Sequence, residues 1–375
     1  MTIIIYVLLA IAAIYRKKSR PLFFLIVSFM WIMGTFCVGI ADQSVYLSRF
    51  NHPELWTSIT EFGFQALVLF VKRLGLSYVG LRGVITAIEL LLISSTVLKY
   101  SKYPNLVMVM YALCPFPLNV AQMRSALATS IMIFAIRFIL DENRKKTKLF
   151  KLEFNDVMYC ILIVGATLIH TEAIMWIVLL LAKKFDLKKT VVFTVAFNAV
   201  VYFLLSPNVL RRLFVLFGAG TRISAYLSTE YALSEWKHRG PVLYVIFAVG
   251  ITVLICYVAK RSRYLQHNLT EDIKRQIDLC VKMNILMLCT VSVILRYTGD
   301  ASRIQEGLSV LNYMFITNYI VSRGFTMNRI KMSNLKVAMW GGVYVLGYLW
   351  LTILHYLVNS VWVPYWFNNT ILSIF

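Results

Sequence analysis

Twelve apolar runs dominate this chain, at about 2–15, 21–40, 79–98, 105–120, 123–140, 156–169, 171–182, 190–206, 241–259, 277–295, 307–322 and 337–358. Backbone facing hydrocarbon must satisfy its own hydrogen bonds, so runs of this kind are expected to be helices. A bilayer core of about 30 Å needs roughly 20 residues of helix. With 59% hydrophobic and 15% charged residues over 375 positions, the chain is too apolar for a soluble globular protein of its size. The expected fold is therefore all-α: a single transmembrane domain over 1–375 with about 12 transmembrane helices, some of them short, broken or re-entrant.

The basic residues give that expectation a direction. They cluster within 16–20, 99–102, 144–151, 183–189, 260–263 and 323–336, at every second connection between apolar runs. Lysine and arginine in short loops mark the cytoplasmic side, which places both termini outside. The formal net charge of +21 is thus spread over topology signals, not gathered on one nucleic-acid-binding surface. At the N-terminus, positive charge follows the apolar stretch, whereas a signal peptide carries it before, so 2–15 is expected to be a retained first span.

The six cysteines are dispersed with no CxxC pair, so neither a disulfide framework nor a zinc site is indicated and no metal or cofactor is expected. Two stretches depart from simple crossings. Residues 41–78 form an outer loop in which 62–74 is apolar but interrupted by Lys72-Arg73, the pattern of a re-entrant or interfacial helix. The runs 156–169 and 171–182 are each short and meet at His170-Thr171-Glu172. Only a hairpin of short helices there keeps Lys183-Lys184 on the cytoplasmic side.

Charges at the ends of apolar runs, on the side away from the lysine clusters, are functional-site candidates, because such groups are costly near hydrocarbon unless paired or wetted. In the first outer loop Asp42 and Glu61 offer carboxylates for a base or a hydroxyl-orienting role, with Tyr46 between them. The bland alternative is a helix cap at Asp42 and a solvated Glu61. After Cys114-Pro115-Phe116-Pro117 breaks one helix, the next restarts with Gln122 and Arg124 in its first turn, a seat for phosphate; the alternative is an arginine snorkelling to headgroups. His170 sits on the polar hinge, where a satisfied hydrogen bonder is the ordinary reading.

Between 295 and 307, Arg296, Tyr297 and Arg303 could hold a diphosphate, or pair with Asp300 and Glu306 to close the loop. Arg82 and Glu89 lie seven apart on one span; a buried polar contact is the expected role for Glu89. The large outer loop 207–240 carries Arg222 among aromatic and basic residues, suited to a lid over an anionic or sugar-bearing ligand or to an amphipathic helix on headgroups.

In Gly39-x-x-Asp42-x-x-x-Tyr46, Glu61-x-Gly63-Phe64, Gln122-x-Arg124-x-x-Leu127-Ala128, His170-x-x-Ala173 and Arg296-Tyr297 followed by Arg303, the chain resembles the EpsG family of Wzy-type polysaccharide polymerases over roughly 39–310. Glu172 stands where a small polar residue is expected after the histidine. The resemblance implies an architecture like GT-C-type membrane glycosyltransferases. It also implies extension of capsule, exopolysaccharide or O-antigen chains from undecaprenyl-diphosphate-linked repeat units at the outer face of the bacterial cytoplasmic membrane, alongside a flippase and a chain-length regulator.

On that reading Asp42, Glu61 or His170 orients or deprotonates the acceptor hydroxyl. Arg124, Arg296 and Arg303, with Arg82 and Arg222, surround the diphosphate in place of a metal. The alternatives are a lipid-phosphosugar glycosyltransferase or glycan ligase and, from another class, a lipid-linked oligosaccharide flippase. Paired acidic residues in the first outer loop mark the former, and a midplane site between related halves marks a transporter.

Overall fold

The computed structural model describes residues 1–53, 61–141, 148–149, 152–204, 240–263, 270–296, 302–321 and 358–372. Over these the chain is helical apart from turns, one two-residue antiparallel pairing, β1 (Lys148–Leu149) with β2 (Leu152–Glu153), and an isolated bridge between Cys37 and Asn369. Three described helical stretches are long and apolar enough to cross a membrane, Tyr78–Tyr100, Met123–Leu140 and Glu271–Leu295; five shorter apolar helices join them. The chain is a membrane protein, with fewer full-length helices among the described residues than its twelve apolar runs.

The reason lies in how the runs are broken. The run 105–120 divides at Cys114-Pro115 into α6 (Pro104–Leu113) and α7 (Phe116–Ala121), because proline removes a donor and clashes with the preceding turn. In the first third, α1 (Thr2–Tyr15), α2 (Arg20–Phe36), α3 (Gln43–Asn51), α4 (Phe62–Arg73) and α5 (Tyr78–Tyr100) precede them. At 12 residues α4 is only about 18 Å long, too short to cross. It lies against α5 and α9 (Phe154–Ile169). The run 337–358 lies almost wholly outside the described residues, as does the loop 207–240.

The hinge at His170 folds as a hairpin. Its second arm is a 3₁₀ segment, Thr171–Leu180, followed by α10 (Leu181–Lys184). The 3₁₀ rise of about 2 Å per residue lets the second arm match the roughly 24 Å of α9 with fewer residues. Lys183 consequently returns to Asp156 at 3.0 Å, and Lys184 reaches the same carboxylate at 3.2 Å. Tyr159 ties the arms midway by donating to the Trp176 carbonyl at 2.6 Å.

Within hydrocarbon, helices associate by close packing and interhelical hydrogen bonds, since lipid offers no hydrophobic penalty to escape. The core follows that rule. Helix α8 (Met123–Leu140) buries Ala126, Ala128, Ser130 and Ala135 and packs on α5 and α9. Fully buried Met30, Tyr111, Phe116, Tyr159 and Trp176 fill the spaces around it. Farther along come α11 (Leu187–Ala199), α12 (Gly240–Arg263), α13 (Glu271–Met287), α14 (Val291–Arg296), α15 (Ser302–Glu306) and α16 (Ser309–Val321). Helices α13 and α16 are joined by a reciprocal amide pair, Asn284 with Asn312, at 2.8 and 3.0 Å.

The C-terminal stretch, including α17 (Val363–Phe367), closes over the end of α2: Val38 N–H donates to the Asn368 carbonyl at 2.8 Å and Thr370 N–H to the Phe36 carbonyl at 3.0 Å. Thr2 donates to the Trp366 carbonyl, so the two terminal segments meet.

Candidate active site

The two ends of the bundle differ in chemistry. At one end lie ordinary surface ion pairs, Lys99 with Asp141 where α5 and α8 finish and Lys183 with Asp156 where the hairpin closes. At the other end, where α8 begins and α9 finishes, a connected line of polar side chains is largely buried.

Glu61, 3% exposed, is its centre. It precedes α4, and the turn is fixed by Gly63, where a Cβ would stand 2.9 Å from the Leu168 carbonyl of α9. No larger residue brings α4 so near. One oxygen of Glu61 accepts from Arg124, at the second position of α8. The other lies 3.1 Å from Nδ1 of His170. An ionised carboxylate only accepts, so Nδ1 is the donor toward Glu61.

Arg124 also donates from Nε to the Tyr46 hydroxyl at 3.3 Å and lies over that ring, 5.7 Å from its centroid. Tyr46 is held by Phe64, ring to ring at 6.1 Å. At the far side of the imidazole, Nε2 of His170 faces Oε2 of Glu172 at 3.4 Å. Both atoms are buried and have no aligned hydrogen bond. The strongest favourable interaction of Glu172 is with His170, and Arg303 of α15 adds a weaker attraction. Trp176, one turn beyond Glu172, secures that neighbourhood by donating to the Ile304 carbonyl at 3.1 Å. The line therefore runs Tyr46, Arg124, Glu61, His170, Glu172, Arg303. Arg124 pairs with Glu61, Arg303 acts on Glu172 through its field, and the imidazole stands between the carboxylates.

The sequence candidates divide accordingly. Tyr46, Glu61, Arg124, His170 and Arg303 come together from α3, the start of α4, α8, the hinge and α15. Asp42 does not join them. It is exposed at the N-cap of α3, with φ of 62° and no side-chain cap bond. Gln122 is the N-cap of α8 and likewise makes no side-chain cap bond.

Arg82 is buried in another role, donating to the Gly34 carbonyl at 2.7 Å and to the Cys37 carbonyl. A cation there satisfies the open carbonyls and the negative dipole end of α2. The backbone of Arg296 ends α14, while Tyr297 and Arg222 lie outside the described residues. Glu89 is in a separate buried cluster, accepting from Tyr111 and from Asn119 at 3.0 Å, as expected of a helix-to-helix contact. Glu172, a functional-site candidate from its charge at the end of an apolar run but one given no role by the sequence, joins the buried line beside His170.

Beside α15, a small cleft between α12, α13 and α16 is lined by apolar Phe247, Ile251, Met287 and Leu308 together with Asn284 and Gln305.

Neither a curated protein nor a solved structure matches the chain. The model of the EpsG family matches residues 20–367, taking in every residue of the buried line. The chain belongs to the EpsG family, whose membership carries a polysaccharide-polymerase type of function in exopolysaccharide biosynthesis.

Proposed function

We propose that this protein joins undecaprenyl-diphosphate-linked repeat units into a polysaccharide at the outer face of the cytoplasmic membrane, with His170 as the group that accepts the proton of the attacking hydroxyl. The observation that carries the reading is the Glu61–His170 contact. A buried carboxylate, itself paired with Arg124, fixes one imidazole nitrogen, and the other faces the Glu172 carboxylate at 3.4 Å. A carboxylate orienting an imidazole in this way is a recurrent means of preparing a general base.

The bond changes balance simply. A hydroxyl oxygen of the incoming unit attacks the anomeric carbon of the growing chain, and its proton passes to Nε2 of His170. The bond from that carbon to the phosphate oxygen breaks, and its electron pair leaves with undecaprenyl diphosphate. Arginines stabilise the charge that gathers on the departing diphosphate. In this reading Arg296 and Arg303, on the helices flanking 297–301, serve the diphosphate, whereas Arg124 principally holds Glu61.

The test is the purified chain in nanodiscs with the undecaprenyl-diphosphate-linked repeat unit of its source strain. A ladder of products with one undecaprenyl diphosphate released per linkage is expected, falling by about a hundredfold or more in H170A. Transfer of a single sugar, or movement across the bilayer without bond formation, overturns the reading in favour of a simple glycosyltransferase or a flippase.

A further inference from the structure

The stretch Glu271–Leu295 is long and apolar enough to cross a membrane, yet a 3₁₀ turn at Leu288–Thr290 interrupts it between α13 and α14. Residues 287–292 read Met-Leu-Cys-Thr-Val-Ser, with no proline or glycine to cause a break. An interruption of this kind is held by side chains that enter the helix ladder from outside. Two do so here. Gln305 of α15 donates from Nε2 to the Met287 carbonyl at 3.1 Å and to the Thr290 hydroxyl at 3.0 Å. Asn198 of α11 donates to the Leu288 carbonyl at 2.9 Å and accepts from the Ser292 N–H at 2.9 Å. Where lipid supplies no hydrogen bonds, these two amides keep the broken helix satisfied.

Gln305 lies two residues after Arg303 on the five-residue α15. The carbonyl of the intervening Ile304 accepts from the Trp176 indole at 3.1 Å. Gly307 lets that ring come close, since a Cβ there would stand 3.1 Å from Cζ2 of Trp176. Consecutive residues of α15 therefore tie it to two parts of the site. Ile304 ties it to the 3₁₀ arm that begins after His170, and Gln305 ties it to the break from which α14 runs to Arg296.

We infer that Gln305 is a positioning residue for the departing diphosphate: by tying α15 to the break between α13 and α14, it fixes Arg303 against the helix that ends at Arg296. It acts through Arg303, not by contact with substrate. This deepens the polymerase reading and rests on it. A 3₁₀ turn within a helix is a joint, and a displacement near 1 Å at a joint misplaces the groups beyond it. Stability and positioning separate at this residue. The Met287 carbonyl also accepts from the Thr290 hydroxyl at 2.7 Å, so it stays satisfied without Gln305. Oε1 of Gln305 is buried with no hydrogen bond among the described residues, so Gln305→Met removes an unmet acceptor together with the tie.

The experiment measures binding of undecaprenyl diphosphate to the full chain in nanodiscs for wild type, Q305M, R303M, the Q305M/R303M double variant and T290V, with melting temperatures alongside. Q305M is expected to weaken binding about tenfold at an unshifted melting temperature, the scale of one charge-assisted hydrogen bond. In the R303M background it is expected to add nothing, because two residues that act through one contact are not additive. T290V keeps the tie from Gln305 to Met287 and is expected to bind as wild type does. The proposal is overturned by unchanged binding in Q305M or R303M, by a full further loss in the double variant, by a T290V loss equal to that of Q305M, or by a lowered melting temperature in Q305M. Each of these leaves Gln305 a structural brace. If wild type itself does not bind undecaprenyl diphosphate, the polymerase reading falls and this one with it; if wild type binds, the variants judge Gln305 alone.

Discussion

Gly63 touches the backbone of Leu168: a Cβ at Gly63 would lie 2.9 Å from that carbonyl oxygen and 3.1 Å from its carbon. The contact joins α4 to α9 two residues after Glu61 and two residues before His170, so it sets the spacing of the central pair. Because the obstacle is backbone, no change of the Leu168 side chain relieves it. Gly63→Ala is expected to displace α4, costing about 1–3 kcal/mol of stability. Activity should fall further, by up to about a hundredfold, since a shift near 1 Å misplaces a catalytic pair. Product formation per folded molecule measures this. The prediction fails if G63A is as active as wild type, or if L168A restores it.

The Glu61–Arg124 pair carries a different signature. Their side chains are 3% and 17% exposed, so removing either partner strands the other charge. Each single variant, E61L or R124M, is expected to lose about 3–5 kcal/mol of stability. The double variant should recover most of it and remain inactive, since Glu61 no longer fixes Nδ1 of His170. Melting temperatures in detergent for the four-member cycle read the coupling. Additive losses would show that the two charges do not depend on each other.

How much of this was legible in sequence depends on whether the signal was local. The hinge at His170 was readable because two short apolar runs flank one polar triplet and the lysines beyond it demand a return. The break before α8 was readable because two prolines write it. The partner of Arg124 was not, since Glu61 lies 63 residues away and only the approach of α4 to α9 brings it there. Arg82 misled for the opposite reason. A charge in an apolar run reads as functional, yet backbone carbonyls at a helix end satisfy a guanidinium as well as a phosphate does. The 3₁₀ form of Thr171–Leu180 has no pattern of its own in a run that is apolar after Glu172, and its purpose shows only in the matched arms of the hairpin. Glu172 acquired meaning once its oxygen was seen against Nε2 of His170.

Arg82 gives a prediction that separates these roles. Its two terminal nitrogens reach the carbonyls of Gly34 and Cys37, a geometry that a planar fork meets and a single ammonium does not. Arg82→Lys is expected to destabilise by about 1–3 kcal/mol by leaving a buried carbonyl unmet. The KM for lipid-linked substrate in the folded fraction should stay unchanged. A raised KM with an unshifted melting temperature would instead return Arg82 to the diphosphate.

Glu89 is 2% exposed and accepts from the Tyr111 hydroxyl and the Asn119 amide, while Asn119 also donates to the Tyr111 oxygen at 2.7 Å. The three side chains form a closed ring of hydrogen bonds linking α5, α6 and α7, the last of which leads directly into α8 and Arg124. Its work is to hold α7 where α8 can start. Glu89→Gln keeps Oε1, which accepts from both Tyr111 and Asn119, so activity should remain within about threefold of wild type. Glu89→Ala leaves the tyrosine hydroxyl and the amide unmet and should cost about 2–3 kcal/mol of stability. A proton relay through Glu89 would reverse the ranking: E89Q would abolish turnover at an unchanged melting temperature. Measuring both quantities on the two variants decides between a relay and a brace.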